Sequence, residues 1–430
     1  MNAREHIADG AARTMRRLDQ PKRAAAAPGA VASQHMVGIV AAMTPNPASP
    51  LRYAIGGMIA LAVAMGIGRF VYTPILPGMM DALRLTASDA GLIASANYLG
   101  YLVGAFAAGG GWAAGRERPI MLAALAASVL LAAFMAAGEG IALFLAVRFL
   151  AGVASAFVMV FLSTIVFSRL AAAGRSDLQA VHFAGVALGI ALSALMTGAL
   201  VLADSPWFAG WIWAAVLSAA GFVVTAVTID RGPVVHGTAG KEPPLPRSKA
   251  LTRVILAYGL FGLGYIVTAT FLVAIVRAGE GGRLFESAVW LVTGLAGIPS
   301  IYLWSRLGRR IGLTATFAVG CVVEAVGVAA SVGLGGHAGP LVGGALLGGT
   351  FIAVTAIGLQ MGRLLAPAAP RRALALMTVS FGTGQILGPL AAGLLADRTG
   401  GYLLPSLGAA AVLVAAAAVA LSAGEAAKSP

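Results

Sequence analysis

Polar residues in this chain gather in short clusters, and long apolar runs lie between them. A helix crosses a bilayer with about 20 mostly apolar residues. Twelve runs meet that length: 52–76, 89–111, 119–137, 141–167, 179–201, 209–229, 252–276, 286–304, 311–333, 339–363, 373–396 and 402–422. The pattern predicts twelve transmembrane helices. Their connections are short except 230–250, where Asp230-Arg-Gly-Pro through Pro243-Pro-Leu-Pro-Arg-Ser-Lys249 reads as a polar, proline-rich linker near the middle of the membrane part. Residues 1–50 are basic and rich in alanine, glycine and proline, with no apolar core ahead of a small-residue cleavage site. They read as a disordered cytoplasmic tail rather than a cleaved signal, with Met36 and Met43 as other candidate starts. The expected organisation is a tail at 1–50, a six-helix bundle at 51–229, a linker at 230–250, a second six-helix bundle at 251–422 and a short tail at 423–430.

Composition supports the membrane reading. Hydrophobic residues make up 59% of the 430 positions and charged ones 10%, against about 25% charged in soluble domains. Too few charges exist to clothe a water-facing surface, so much of the exterior must face lipid. The 57 glycines fit helices that pack through small residues. A net charge of +13 would suit nucleic acid, but its placement argues for membrane topology. With the N-terminus inside, only Arg84, Arg277, Arg283 and Arg398 fall in outer loops, and Arg69 and Arg148 fall within spans. All other members of the 29 Lys and Arg lie in inner segments. Lysine and arginine are retained on the cytoplasmic side, which predicts a multi-pass protein of a bacterial inner membrane with both termini cytoplasmic and no nucleic-acid partner. The single cysteine, Cys321, sits in an apolar run, so no intrachain disulfide forms.

The two halves repeat. Gly66-Ile-Gly68 matches Gly262-Leu-Gly264 at an offset of 196, and Phe149-Leu-Ala-Gly152 matches Ala345-Leu-Leu-Gly348 at the same offset. Asp89 and Glu286, each opening the second span of its half, differ by 197. A parallel repeat of six spans implies a pseudo-two-fold axis along the membrane normal, with a substrate site between the halves near the midplane.

These residues resemble the major facilitator superfamily (MFS). Gly66-Ile-Gly-Arg-Phe-Val-Tyr-Thr-Pro-Ile-Leu-Pro77, Asn97-Tyr-Leu-Gly-Tyr-Leu-Val-Gly104 and Gly348-Gly-Thr-Phe351 are similar to its YbfB/YjiJ-type branch, over residues 52–422. Ser305-Arg-Leu-Gly-Arg-Arg310 resembles the basic loop after the second helix of a half, with Ser305 in place of the usual aspartate, and Gly115-Arg-Glu-Arg118 is a degenerate copy. Arg306, Arg309 and Arg310 are thereby implied to form a gating loop. Arg148 with Gly152 resembles the fourth-helix arginine–glycine motif, and Gly388-Pro-Leu-Ala-Ala-Gly-Leu-Leu-Ala-Asp397 the usual end of the eleventh helix. The fifth helix has Gly185-Val-Ala-Leu-Gly189 rather than the Gly-Pro signature of drug/proton antiporters. The resemblance implies a central cavity faced by the first and fourth helices of each half.

Ionisable groups within spans are costly and mark pathways or partners. Here they are Arg69, Arg148, Glu324 and His182. Arg69 and Arg148 are at similar depth, and no acid lies in the cores of the first six spans. A guanidinium fork matches a carboxylate, so an organic anion is the expected solute; the alternative is that each arginine bonds helix-end carbonyls or outer-loop acids such as Asp81 and braces the fold. Tyr72, Thr73, Asn97, Tyr101, Tyr265, Thr378 and Gln385 are candidate polar contacts, and Tyr265 sits where Arg69 sits in the first half. They serve equally to satisfy one another within a bundle. Glu324 is a candidate for a coupling proton, competing with a protonated acid bonded to a neighbouring helix. His182, near the cytoplasm, is a candidate relay competing with an interface histidine. No P-loop, His-Glu-x-x-His, paired cysteines or histidine cluster occurs, so no cofactor or metal is expected, and an ion or solute gradient supplies the energy. The expectation is a monomeric secondary transporter of a small organic solute. Efflux of amphipathic compounds, a membrane sensor and a membrane-embedded enzyme are the rivals, the last opposed by short loops without converging catalytic groups.

Overall fold

A computed structural model describes residues 49–109, 111–230, 242–279 and 281–426. The N-terminal tail, most of the linker and the last four residues lie outside the described residues. All regular structure among the described residues is helical. The helices are α1 (Pro50–Leu61), α2 (Tyr72–Leu83), α3 (Ala87–Ala108), α4 (Glu117–Met135), α5 (Ile141–Ala172), α6 (Gln179–Leu202), α7 (Trp207–Thr228), α8 (Lys249–Arg277), α9 (Gly282–Gly297), α10 (Ser300–Ile311), α11 (Leu313–Gly333), α12 (Ala338–Leu365), α13 (Pro370–Thr399) and α14 (Leu403–Ala426). Eleven segments are long and apolar enough to cross a bilayer, or twelve when the bent pair α9 and α10 counts as one. Leu130, Leu195, Leu202, Val227 and Leu364 are each more than half exposed. In water this apolar surface would be unfavourable; against lipid it is the expected exterior.

Local chemistry sets the ends. Thr86 and Asp89 form a reciprocal capping box at the start of α3, Ser248 caps α8, and α13 starts on Pro370 and stops at Gly400, whose φ is 72°. Such caps satisfy backbone groups that a helix end leaves open.

Two spans depart from a regular α-helical ladder, and each has a proline beside the irregularity. The first extends beyond 52–76: α1 leads into a π-helical stretch, Ala62–Ile67, then a turn, then α2. Pro74 has no N–H for the Phe70 carbonyl, which instead accepts from Thr73 N at 3.2 Å. The eighth runs not over 286–304 but over α9 and α10, bent by 46°. Pro299 cannot continue the ladder, and Ile298 N turns back to Leu295 O. The stretch expected to be a basic gating loop is therefore helical: Arg306, Arg309 and Arg310 occupy the last turns of α10, because the bend comes before it. Asp81, expected in an outer loop, lies within α2.

Packing repeats as the sequence does. A Cβ on Gly152 would strike the Asn97 carbonyl, and one on Gly348 would strike the Thr293 carbonyl. These two contacts are 196 residues apart at both partners, and they join α5 to α3 and α12 to α9. Gly185 and Gly189 admit the backbone of Met58 and Ala62, while Gly384 and Gly388 admit that of Gly259 and Leu263. Across the halves, α3 packs on α13, α6 on α9, and α2 on α8. The first span and α8 are the most enclosed, with 78% and 83% of their apolar windows buried.

Candidate functional site

The first and seventh spans face each other along a stripe of equivalent residues. Thr73 Oγ1 donates to Ala269 O at 2.7 Å, and Arg277 donates to Asp81; each pair is separated by 196 residues. One turn from Thr73, Arg69 and its equivalent Tyr265 are joined through Gln385 of α13. Arg69 Nη2 donates to Gln385 Oε1 at 2.7 Å, and Gln385 Nε2 donates to the Tyr265 hydroxyl oxygen. The bridge thus spans the repeat axis.

Arg69 is 4% exposed. Its guanidinium carbon lies 4.6 Å from the ring centres of both Tyr98 and Tyr101, and its Nε has no hydrogen-bond partner. Among the described residues no carboxylate lies within ion-pair distance of it. Phe70 is a third ring, at 5.7 Å; such contacts contribute up to about 2 kcal/mol each when dry, but rings supply no countercharge to a desolvated ion. The site carries an uncompensated cation.

Arg148 is placed differently. Its Nη1 and Nη2 donate to the carbonyls of Gly68 and Arg69, each at 2.9 Å. Those carbonyls lie in the turn between the π-helical stretch and α2, so Arg148 ties down the interruption in the first span. Asn97 Nδ2 donates to Arg148 O, Tyr72 to Ala90 O, and Thr378 to Leu374 O of its own helix. Of the sequence candidates, Arg69, Tyr101, Gln385 and Tyr265 come together, whereas Tyr72, Thr73, Asn97, Arg148 and Thr378 are engaged by backbone carbonyls.

His182 and Glu324 stand apart from this cluster. His182 is fully buried, with Nε2 3.3 Å from Ser163 Oγ and the rings of Phe167 and Phe183 edge-on to it. Glu324, buried on α11, lies beside Thr350, and neither carboxylate oxygen has a hydrogen-bond partner. Arg306 donates to Tyr302 at the surface; Arg309 and Arg310 are exposed.

Sequence reasoning missed Tyr98, whose hydroxyl is 3.3 Å from Thr270 Oγ1 of α8, and an aromatic group on α8, α12 and α13. Tyr98 and Tyr101 are three apart and share a helix face; Tyr258, Phe261 and Tyr265 follow the same rule. That periodicity was the available signal.

A clasp crosses the halves at the end of the bundle holding Arg277. Arg277 also grips Glu286 of α9, with Nη2 2.8 Å from Oε2, and Arg283 pairs with Asp204 at 3.1 Å. Asp397 of α13 accepts from the amides of Ala87 and Ser88 at 3.0 and 2.9 Å, capping α3 from the other half. Burial, and then Asp397 nearby, push the Tyr402 hydroxyl up to about 12, so it stays neutral.

The sequence profile of the family described as "Uncharacterised MFS-type transporter YbfB" matches residues 61–421. The chain belongs to this MFS-type transporter family. It is a multi-pass membrane protein of a transporter family, not an enzyme. No curated protein matches it in sequence. Among solved structures, a point variant of the nucleoside transporter NupG is similar with a TM-score of 0.70 at 14% identity, covering 87% of this chain and 99% of that one. NupG itself gives 0.64 at 16% identity, over 87% and 99%. A bacterial homologue of the human lysosomal transporter Spinster, inward-facing and unoccupied, gives 0.64 at 13% identity, over 88% and 98%. At these identities the likeness is one of fold.

Proposed function

We propose that this transporter moves a small organic anion across a bacterial inner membrane by alternating access, and that Arg69 receives the anion. The single observation that supports this is the buried charge of Arg69, which faces aromatic rings and the neutral Gln385 amide and no carboxylate among the described residues. An amide oxygen satisfies one N–H and leaves the charge; a carboxylate would supply both. Two six-helix bundles, 51–229 and 251–422, rock about the first and seventh spans. The arginine distribution supports an orientation with both termini in the cytoplasm and the Arg277 clasp outside. Glu324 is our candidate for the coupling proton, as a carboxyl wholly buried in the membrane part with no basic partner among the described residues. A neutral nucleoside, the cargo named for NupG, leaves Arg69 without a countercharge and is the weaker reading.

Proteoliposome uptake of labelled carboxylates tests the proposal. Arg69→Gln should lower uptake roughly 30-fold or more with normal membrane insertion, and full uptake by that variant removes the residue from the site. Glu324→Gln should keep solute counterflow and lose accumulation driven by a pH gradient; retained accumulation assigns coupling elsewhere.

A further inference from the structure

The aromatic group beside Tyr265 differs from the rest of the aromatic packing. Most other rings meet steeply, as Trp112 does Phe161 at 89° and Phe144 does Trp207 at 85°, with Phe271 and Tyr402 at 35° the shallowest of them. Beside the site, Tyr258, Phe261, Tyr265, Phe351 and Phe381 share nearly one orientation. Tyr258 and Phe381 stack at 4.7 Å and 19°, Phe261 and Tyr265 at 5.1 Å and 17°, and Tyr265 and Phe351 at 6.0 Å and 13°. All five come from the second half, on α8, α12 and α13. The cation comes from the first half.

The site therefore has two unlike poles at equivalent positions of the repeat: a guanidinium at Arg69 and a stacked aromatic shelf beginning at Tyr265. The Gln385 side chain alone separates them. One amide group between guanidinium and ring edge corresponds to the step from a carboxylate to the ring that bears it. Flat rings stack on parallel flat rings in offset fashion, and a saturated puckered ring or an open chain gains less from such a shelf. We propose that the solute is a flat aromatic carboxylate, its carboxylate taking the place of the Gln385 oxygen on Arg69 and its ring lying along the shelf. This rests on the anion reading above and adds the substrate class.

The test uses the full-length protein in lipid nanodiscs, titrated with benzoate, cyclohexanecarboxylate and benzamide as probes and read by calorimetry. Benzoate is expected to bind about tenfold more tightly than cyclohexanecarboxylate, with no binding of benzamide. Phe351→Leu and Phe381→Leu should remove the preference for benzoate over cyclohexanecarboxylate; Arg69→Gln should remove binding of both acids. Equal binding of the two acids by the unaltered protein overturns the aromatic assignment and leaves the anion reading standing. Benzamide binding as tightly as benzoate overturns both. Absence of benzoate binding overturns the aromatic assignment.

Discussion

Arg69 and Arg148 are both buried in the membrane part, yet their guanidinium groups end in unlike company. Arg148 directs both terminal nitrogens at carbonyls in the turn that interrupts the first span, whereas Arg69 has three aromatic faces and one neutral amide oxygen. Arg148→Leu is expected to lower stability by about 3 kcal/mol or more, since two buried carbonyls lose their donors; thermal melting in detergent reads this. Melting at the wild-type temperature together with lost uptake would instead put Arg148 on the solute. Gln385→Glu asks the converse question of Arg69. A built-in carboxylate should pair with the guanidinium, raise the melting temperature and shut out carboxylate solutes. Unchanged anion binding in that variant would contradict the proposed site. The sequence displays both arginines as membrane-embedded charges, but not the difference between them. That difference depends on which carbonyls the turn at residues 68–71 leaves open and on which helix reaches them from 80 residues away. Gln385 was legible as a polar residue on an apolar helix; its position between Arg69 and Tyr265 required the packing of α13 across the halves.

Helices in lipid gain little from apolar burial against one another, so close backbone contact decides their pairing. Gly152 against Asn97 and Gly348 against Thr293 are the same contact made twice. Gly152→Ala and Gly348→Ala should each destabilise by about 1–3 kcal/mol, because the added methyl meets backbone rather than a movable side chain. Similar losses in melting temperature are expected from the two; a loss confined to one would mean the halves do not share this packing. Spans were legible because hydropathy over some 20 residues depends little on tertiary context. Breaks were less so. The apolar run of the first span reads as one helix until the π-helical stretch and Pro74 are seen to act together. In the eighth, the charged end of α10 resembled a loop because Arg306, Arg309 and Arg310 suggest an end to the membrane, which is not an end to the helix.

For the molecule as a whole, the clasp formed by Arg277, Asp81, Glu286, Arg283 and Asp204 ties the two halves together at one end of the bundle. Asp81 is 64% and Asp204 94% exposed in their side chains, and such pairs contribute about 0–1 kcal/mol each. A gate that opens on every cycle needs contacts of that modest size. In a Cys321→Ala background, a reporter at Ser95→Cys, buried where α3 meets α13, should react faster with a maleimide when Asp81→Arg breaks the pair and the halves part. Adding Arg277→Asp should restore protection. No change in labelling rate would show that these charges do not gate the path.

The stripe where equivalent residues meet bears on how such a molecule arises. A residue on a two-fold axis of a dimer of identical chains faces its own copy. Aspartate would face aspartate at the position of Asp81, arginine would face arginine at Arg69, and both encounters are repulsive. Only after duplication and fusion can one gene write different residues on the two sides of its own axis. Asp81 opposite Arg277 and Arg69 opposite Tyr265 are arrangements a homodimer cannot make. Fusing the halves therefore gave the centre of this protein a polarity, with charge on one wall and aromatic surface on the other, that symmetry would forbid.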